Sequence, residues 1–192
     1  MKSILRMPLL AGCLLLASHA LLAQEVVHAL TGTVDTIDPA NKTFTITADD
    51  GSGSTFDQLT SAHKSAWLEK ALRNGAVAAA GFNQTGTHVI VYFLGWGEPR
   101  TAIAFQTLGA GPLTKSTGTV VKFDKGDHTL SIKELSGTID SFKVASDTVA
   151  ETGTGAVEGL KFDPSKGQRV RVTATQINGS EKALFINASF AN

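Results

Sequence analysis

Apolar and polar positions alternate along two long stretches of the chain, and the second stretch repeats the first. Residues 31–58 align without a gap on residues 117–144 at a constant offset of 86, and nine of the 28 pairs are identical. Gly32 and Gly118 form one of these identical pairs. Because chance rarely produces such a match, the sequence indicates one structural module written twice.

Within each copy, period-two alternation and β-branched residues predict five strands. In the first copy they are predicted at 30–37, 43–48, 54–58, 76–82 and 87–94, and in the second at 117–123, 128–134, 139–145, 168–175 and 181–188. The second halves of the copies match by pattern at an offset of 93, which places Val77 over Val170.

The segment between the third and fourth predicted strands differs between the copies. In the first copy a helix is predicted over 61–73, begun by Ser61 and ended by Asn74 and Gly75. In the second copy four glycines and a proline predict a loop with at most one helical turn. Three strands, a helix and two strands is the order of the OB-fold, so we expect an all-β protein with one short helix, built as two tandem five-stranded OB-like barrels.

The repeat also predicts the domain boundaries. The first barrel is expected over 24–108, a linker over 109–116 and the second barrel over 117–192. The segment TAIAFQ at 101–106 is interpreted as an extra strand that caps the first barrel.

The N-terminus has the layout of a secretory signal peptide over residues 1–23. Lys2 and Arg6 precede an apolar run, and small residues follow it as far as Ala23, where we expect cleavage. This predicts a periplasmic or secreted protein with no transmembrane span. The string LAGC offers the alternative of a lipid anchor on Cys13, although the apolar run continues beyond that cysteine.

Two short motifs resemble a group of bacterial exported domains of unknown function with OB-like barrels. Their copies open with a Gly-Thr-Val strand, as do Gly32 and Gly118 here, and carry Gly-x-x-Val-x-Val before the fourth strand, as does GQRVRV from Gly167. The first copy departs from the second motif with GAVAAA at 75–80. The resemblance implies a fold and no chemistry.

A weaker similarity links the opening strands to periplasmic copper chaperones, which are five-stranded barrels that bind copper through His, Met and Trp. Soft thioether ligands suit Cu(I), but signal cleavage would remove both methionines, so that site is not carried over. Copper or zinc handling by His63, His88 and His128 across a barrel mouth stays the alternative function. No resident cofactor is predicted.

Four residues are the candidate contacts for a ligand or partner: Trp96, His63, Trp67 and His88. Trp96 has glycine neighbours that suggest exposure at a barrel rim, and His63 and Trp67 are four residues apart on one face of the predicted helix. His28 and His128 are expected to be solvated. Asp49 and Asp50 are interpreted as ordinary turn formers rather than calcium ligands.

Charge and motifs exclude several classes of function. After cleavage the chain has 15 basic and 17 acidic residues, which gives no electrostatic footprint for nucleic acid. No nucleophile elbow, zinc-protease motif or phosphate loop occurs, so we expect no enzyme. The sequence favours a non-catalytic module pair that binds an envelope protein or a small polar ligand.

Overall fold

The structure is a computed structural model, and it describes residues 26–58, 66–95, 97–109 and 111–189. The strands of the first half are β1 (His28–Asp38), β2 (Thr43–Ala48), β3 (Gly53–Gln58), β4 (Val77–Ala78), β5 (His88–Leu94) and β6 (Arg100–Thr107), with helix α1 (Ala66–Arg73). Those of the second half are β7 (Leu113–Asp124), β8 (Thr129–Glu134), β9 (Ile139–Lys143), β10 (Val149–Thr152), β11 (Gly155–Glu158), β12 (Arg169–Ile177) and β13 (Ser180–Asn187).

Each half closes into a five-stranded barrel. In the first barrel the strand order is β3-β2-β1-β5-β6, and the parallel pairing of β3 with β6 joins the ends. In the second barrel the order is β9-β8-β7-β12-β13, and the parallel pairing of β9 with β13 joins the ends at Lys143 and Lys182. The predicted fold class, two tandem five-stranded barrels, is therefore confirmed.

The last two strands of the first barrel differ from the prediction. The stretch predicted as a strand over 76–82 contains only the two residues of β4 and a single 3-10 turn over Ala79–Gly81. The stretch predicted as a capping strand, TAIAFQ, lies instead within β6 and closes the barrel. A short alanine-rich stretch is a weak strand former, whereas in β6 every second residue is β-branched or aromatic.

The structure also corrects the alignment of the second half of the repeat. Val89 pairs with Gly32 on β1, and Val170 pairs with Gly118 on β7. Because Gly32 and Gly118 are equivalent, Val89 corresponds to Val170 at an offset of 81, and the predicted offset of 93 is wrong. The first copy therefore does carry the Gly-x-x-Val-x-Val motif, as GTHVIV from Gly86.

The glycine of the Gly-Thr-Val motif is required by close strand pairing. A Cβ on Gly118 would lie 2.5 Å from the backbone oxygen of Lys133, and a Cβ on Gly32 would collide with the backbone oxygen of Thr47. Both strands also bulge two residues later, after Val34 and Val120. The motif is thus a packing requirement of the barrel.

The segments inserted between the third and fourth barrel strands are unlike each other, as predicted, but the second is more ordered than expected. The helix of the first copy covers Ala66–Arg73 within the described residues, and residues 61–65 of the prediction lie outside them. In place of the predicted loop, β10 and β11 form an antiparallel hairpin that is followed by a 3-10 turn over Gly159–Lys161. The hairpin adds to the second barrel through the parallel pairing of β10 with β13.

The predicted linker is shorter than expected, because β7 already begins at Leu113. Each barrel encloses its own apolar core, built around Phe44, Phe56 and Phe105 in the first barrel and around Leu130, Ile132 and Phe142 in the second. In the described part of the chain, no helix has the length and apolarity needed to cross a bilayer.

Candidate functional site

A third apolar cluster lies between the barrels and joins them. It packs the outward-facing side chains Ile90 and Tyr92 of β5 and the helix residue Leu68 with Val149 and Phe185 of the second barrel. At its edge the backbone N–H of Ala156 donates to the oxygen of Val27 at 2.8 Å. The two barrels therefore share a packed interface.

Asp49, in the turn between β2 and β3, is the polar centre of this interface. Its Oδ2 accepts hydrogen bonds from Thr31 at 2.7 Å and from Thr173 of the second barrel at 2.8 Å. Its Oδ1 lies 2.7 Å from Lys115 Nζ of the second barrel and 3.1 Å from His88 Nε2. One carboxylate thus receives donors from both barrels.

The environment of Asp49 favours its charged form. Burial opposes ionisation, since only 4% of the side chain is exposed, but hydrogen bonds from His88, Lys115, Thr31 and Thr173 outweigh that effect. Together they hold the pKa of Asp49 well below its usual range. The carboxylate is therefore a fixed negative charge at neutral pH.

A second buried polar pair crosses the interface where β1 meets β10. His28 Nδ1 lies 2.8 Å from Glu151 Oε1, and the backbone N–H of Ala29 donates to Glu151 Oε2 at 2.8 Å. Burial raises the pKa of Glu151, and the hydrogen bonds from His28 and Ala29 offset that rise only in part. The expectation that His28 is solvated is wrong, because 2% of the residue is exposed.

Two arginines, one from each barrel, lie near acidic side chains in the same region. Arg171 of β12 lies 3.8 Å from Asp50 Oδ2 through one of its terminal nitrogens. Arg100, at the start of β6, has its guanidinium 5.1 Å from the ring centroid of Phe93 and its Nε 3.4 Å from Glu98. The arginines therefore lie beside aromatic and acidic neighbours rather than in open solvent.

A cavity of about 220 Å³ opens between the barrels among these side chains. We name it the interbarrel cleft. Its walls are His28, Ala29, Leu30, Thr31, Ala48, Asp49, Asp50, Ser52, Ser54, Phe93 and Arg100 from the first barrel, and Glu151, Arg171, Thr173, Phe185, Asn187 and Ser189 from the second half of the chain.

The cleft is suited to hydrogen bonding with a small polar molecule. Hydroxyl, amide, carboxylate and guanidinium groups line it, so both donors and acceptors of hydrogen bonds surround one space. Among the residues that the structure describes, no three His, Cys, Asp or Glu side chains come together as ligands for a metal ion. The arrangement of the cleft residues offers polar recognition.

The structure describes only part of the predicted contact set. His88 is three-quarters or more buried, and its ring contacts Asp49 and, through Nδ1 at 3.2 Å, Thr33. His63 and Trp96 lie outside the described residues, as does the side chain of Trp67. His128 lies in the exposed turn between β7 and β8. Contact of these four residues with a ligand or partner stays a prediction.

Sequence reasoning missed the residues that meet at the interface, chiefly Asp49, Glu151 and Arg171. Asp49 was interpreted as a turn former, yet its side chain is buried against the second barrel. One signal was available, because the residue equivalent to Asp49 in the otherwise similar second copy is Leu135. A charged residue in one copy and an apolar residue at the equivalent position of the other indicate that this surface has different contacts in the two copies.

Comparison of the sequence with models of protein families finds no match, and comparison with curated proteins also finds none. The function of this site is therefore argued from its geometry.

Proposed function

We propose that the protein is a non-catalytic, exported binding protein whose interbarrel cleft binds a small polar ligand. The observation that carries the proposal is the cleft itself, which is lined by polar side chains from both barrels. Ligand sites are commonly concave and lie where two domains meet. Export rests on the signal-peptide pattern over residues 1–23.

The interface that surrounds the cleft supports a preformed site. Apolar packing on one side and the Asp49 hydrogen bonds on the other hold the barrels together before any ligand arrives. A cleft held in this way loses little conformational entropy when it binds, and preorganisation of that kind favours affinity.

A binding role is favoured over catalysis because the acids of the cleft are already engaged. Asp49 accepts from four side chains, and Glu151 accepts from His28 and from the backbone of Ala29. Asp50 accepts from the backbone and the hydroxyl of Ser52. These hydrogen bonds hold the carboxylates in fixed positions, which suits a cleft that binds a ligand.

Thermal unfolding of residues 24–192 with a panel of neutral, anionic and cationic small metabolites tests the proposal. A ligand at 100 times its Kd adds about 2.7 kcal/mol of stability, so a binder should raise Tm by about 5 °C or more. The ligand should be recovered chemically unchanged. A panel that leaves Tm unmoved, or a ligand that is converted to product, would contradict the proposal.

A further inference from the structure

The charges around the interbarrel cleft are close to balance. Three carboxylates, Asp49, Asp50 and Glu151, line it, and so do two guanidiniums, Arg100 and Arg171. A third cation, Lys115, is bound directly to Asp49. His28, also in the lining, contacts Glu151, and Glu98, just outside it, contacts Arg100. Surroundings with so little excess charge give little electrostatic preference to an ionic ligand.

Several neutral polar groups in the same lining keep hydrogen-bonding capacity. The Asn187 Oδ1 accepts from the Ser189 hydroxyl at 2.8 Å, which, among the residues that the structure describes, leaves the two N–H donors of the Asn187 amide for a ligand. The Ser189 and Ser52 hydroxyls each donate to a protein acceptor and keep their oxygen lone pairs. The cleft thus offers donors and acceptors side by side.

A ligand hydroxyl matches such a surface because it donates one hydrogen bond and accepts two. The size of the cleft sets a second condition. Its 220 Å³ is less than the roughly 300–1,000 Å³ of the pockets that hold drug-sized ligands. Carbon atoms of Phe93, Phe185 and Leu30 also line it and suit the C–H faces of a small ring.

We infer that the ligand is a neutral polyhydroxylated molecule of about the size of a monosaccharide or cyclic polyol. This inference rests on the proposed function and names the ligand class of the same site. Hydroxyl groups would bridge Asn187 and Ser189 of the second half to Ser52 and Ser54 of the first barrel. Binding would involve no net transfer of charge into the cleft.

Calorimetric titration of residues 24–192 tests the inference with glucose, galactose, mannose, ribose and myo-inositol as neutral probes. Citrate and succinate serve as anionic probes and putrescine as a cationic one. At least one neutral probe should bind with a Kd below about 1 mM. Its Kd should change less than about twofold between about 20 mM and about 500 mM NaCl, since screening acts on charged partners.

Two variants locate the binding. Asn187→Leu removes the amide and narrows the cleft, and it should weaken the binding of that neutral probe at least tenfold. Asn83→Leu, at an exposed position away from the cleft, is the matched control and should bind like the parent. If Asn187→Leu does not fold, Ser189→Leu, at an exposed position that lines the cleft, replaces it with the same expectation.

The outcomes separate the inference from the proposed function. Binding of only charged probes, or a neutral-probe affinity that falls about tenfold with salt, overturns the ligand class and leaves a cleft that binds. Equal affinity of the parent and of Asn187→Leu for the neutral probe overturns the placement of the binding site in the interbarrel cleft. Absence of binding by every probe overturns both.

Discussion

Lys115 Nζ lies 2.7 Å from Asp49 Oδ1 and links the first strand of the second barrel to a turn of the first. The same carboxylate holds Thr173 of the second barrel through its other oxygen. In the second barrel the position equivalent to Asp49 is Leu135, which is fully exposed. Two turns of the same origin have therefore diverged, one to join the barrels and one to face solvent.

Asp49→Ala should destabilise the protein by about 2–3 kcal/mol, because it removes a buried acceptor from several donors, two of which are charged or titratable. Lys115 is half exposed, so its share of that loss is small. Unfolding in guanidinium chloride measures the change. Asp163→Ala, which breaks the exposed pair with Lys125, is the control and should cost less than about 1 kcal/mol. Equal losses for the two variants would contradict the role given to Asp49.

The lowered pKa of Asp49 predicts an acid-sensitive stability. Its contribution is complete above the pKa of an unfolded aspartate, about 3.9, and is lost as the pH falls from there towards the folded pKa. The stability difference between the parent and Asp49→Asn should therefore shrink between about pH 5 and pH 2. Unfolding free energies at several pH values provide the measurement. A stability difference that stays constant over this pH range would show that the pKa of Asp49 is not lowered.

Glu151 should behave in the opposite sense, because burial raises its pKa. Stability is then lost as the pH rises from the pKa of an unfolded glutamate, about 4.3, through the folded pKa, since the buried group must ionise. Glu151→Gln keeps a hydrogen-bonding side chain beside His28 and should stabilise the protein at pH 7, which unfolding in guanidinium chloride measures.

Glu158→Gln is the matched control for that substitution. Contacts with Lys70 and Lys161 lower the pKa of Glu158, so its loss should leave stability unchanged or slightly reduced at pH 7. A stabilising effect of the control, or a destabilising effect of Glu151→Gln, would show that burial is not the main influence on the pKa of Glu151.

Gly32→Ala and Gly118→Ala should each destabilise the protein by more than about 2 kcal/mol, because the added Cβ meets the backbone of the neighbouring strand. Backbone atoms in a paired strand cannot rotate aside as a side chain can. Gly53→Ala is the control, since its Cβ would meet nothing within 4 Å. Thermal unfolding compares the three variants, and a neutral effect at both motif glycines would contradict the packing explanation.

The sequence predicts the barrels well where local pattern determines structure. The first three strands of each copy alternate over most of their length, and β8 and its equivalent β2 lie close to their predicted bounds. The prediction fails at β6, because the pattern at 76–82 predicts a fourth strand there and leaves the segment of β6 as an additional strand outside the barrel. Only pairing of β1 with β5 reveals the correct register, and pairing between distant segments is not visible in a single sequence.

The interbarrel cleft was beyond prediction for a related reason. Its residues come from β1, the end of β2, the β2–β3 turn, β3, β5 and β6 of one barrel and from β10, β12, β13 and the segment after β13 of the other. Asp49 and Thr173 are 124 residues apart in the chain. A module pair can be recognised from repetition, but the way in which two modules pack depends on side chains that repetition does not constrain.

The most direct test of the binding cleft is nuclear magnetic resonance of the ¹⁵N-labelled chain, titrated with the neutral probe that binds most tightly. The account predicts that the backbone amides of Ser52, Ser54, Asn187 and Ser189 shift together and saturate with one Kd. Shifts confined to the exposed turn at Ser136 and Gly137, or no saturable shift in the cleft, would contradict it.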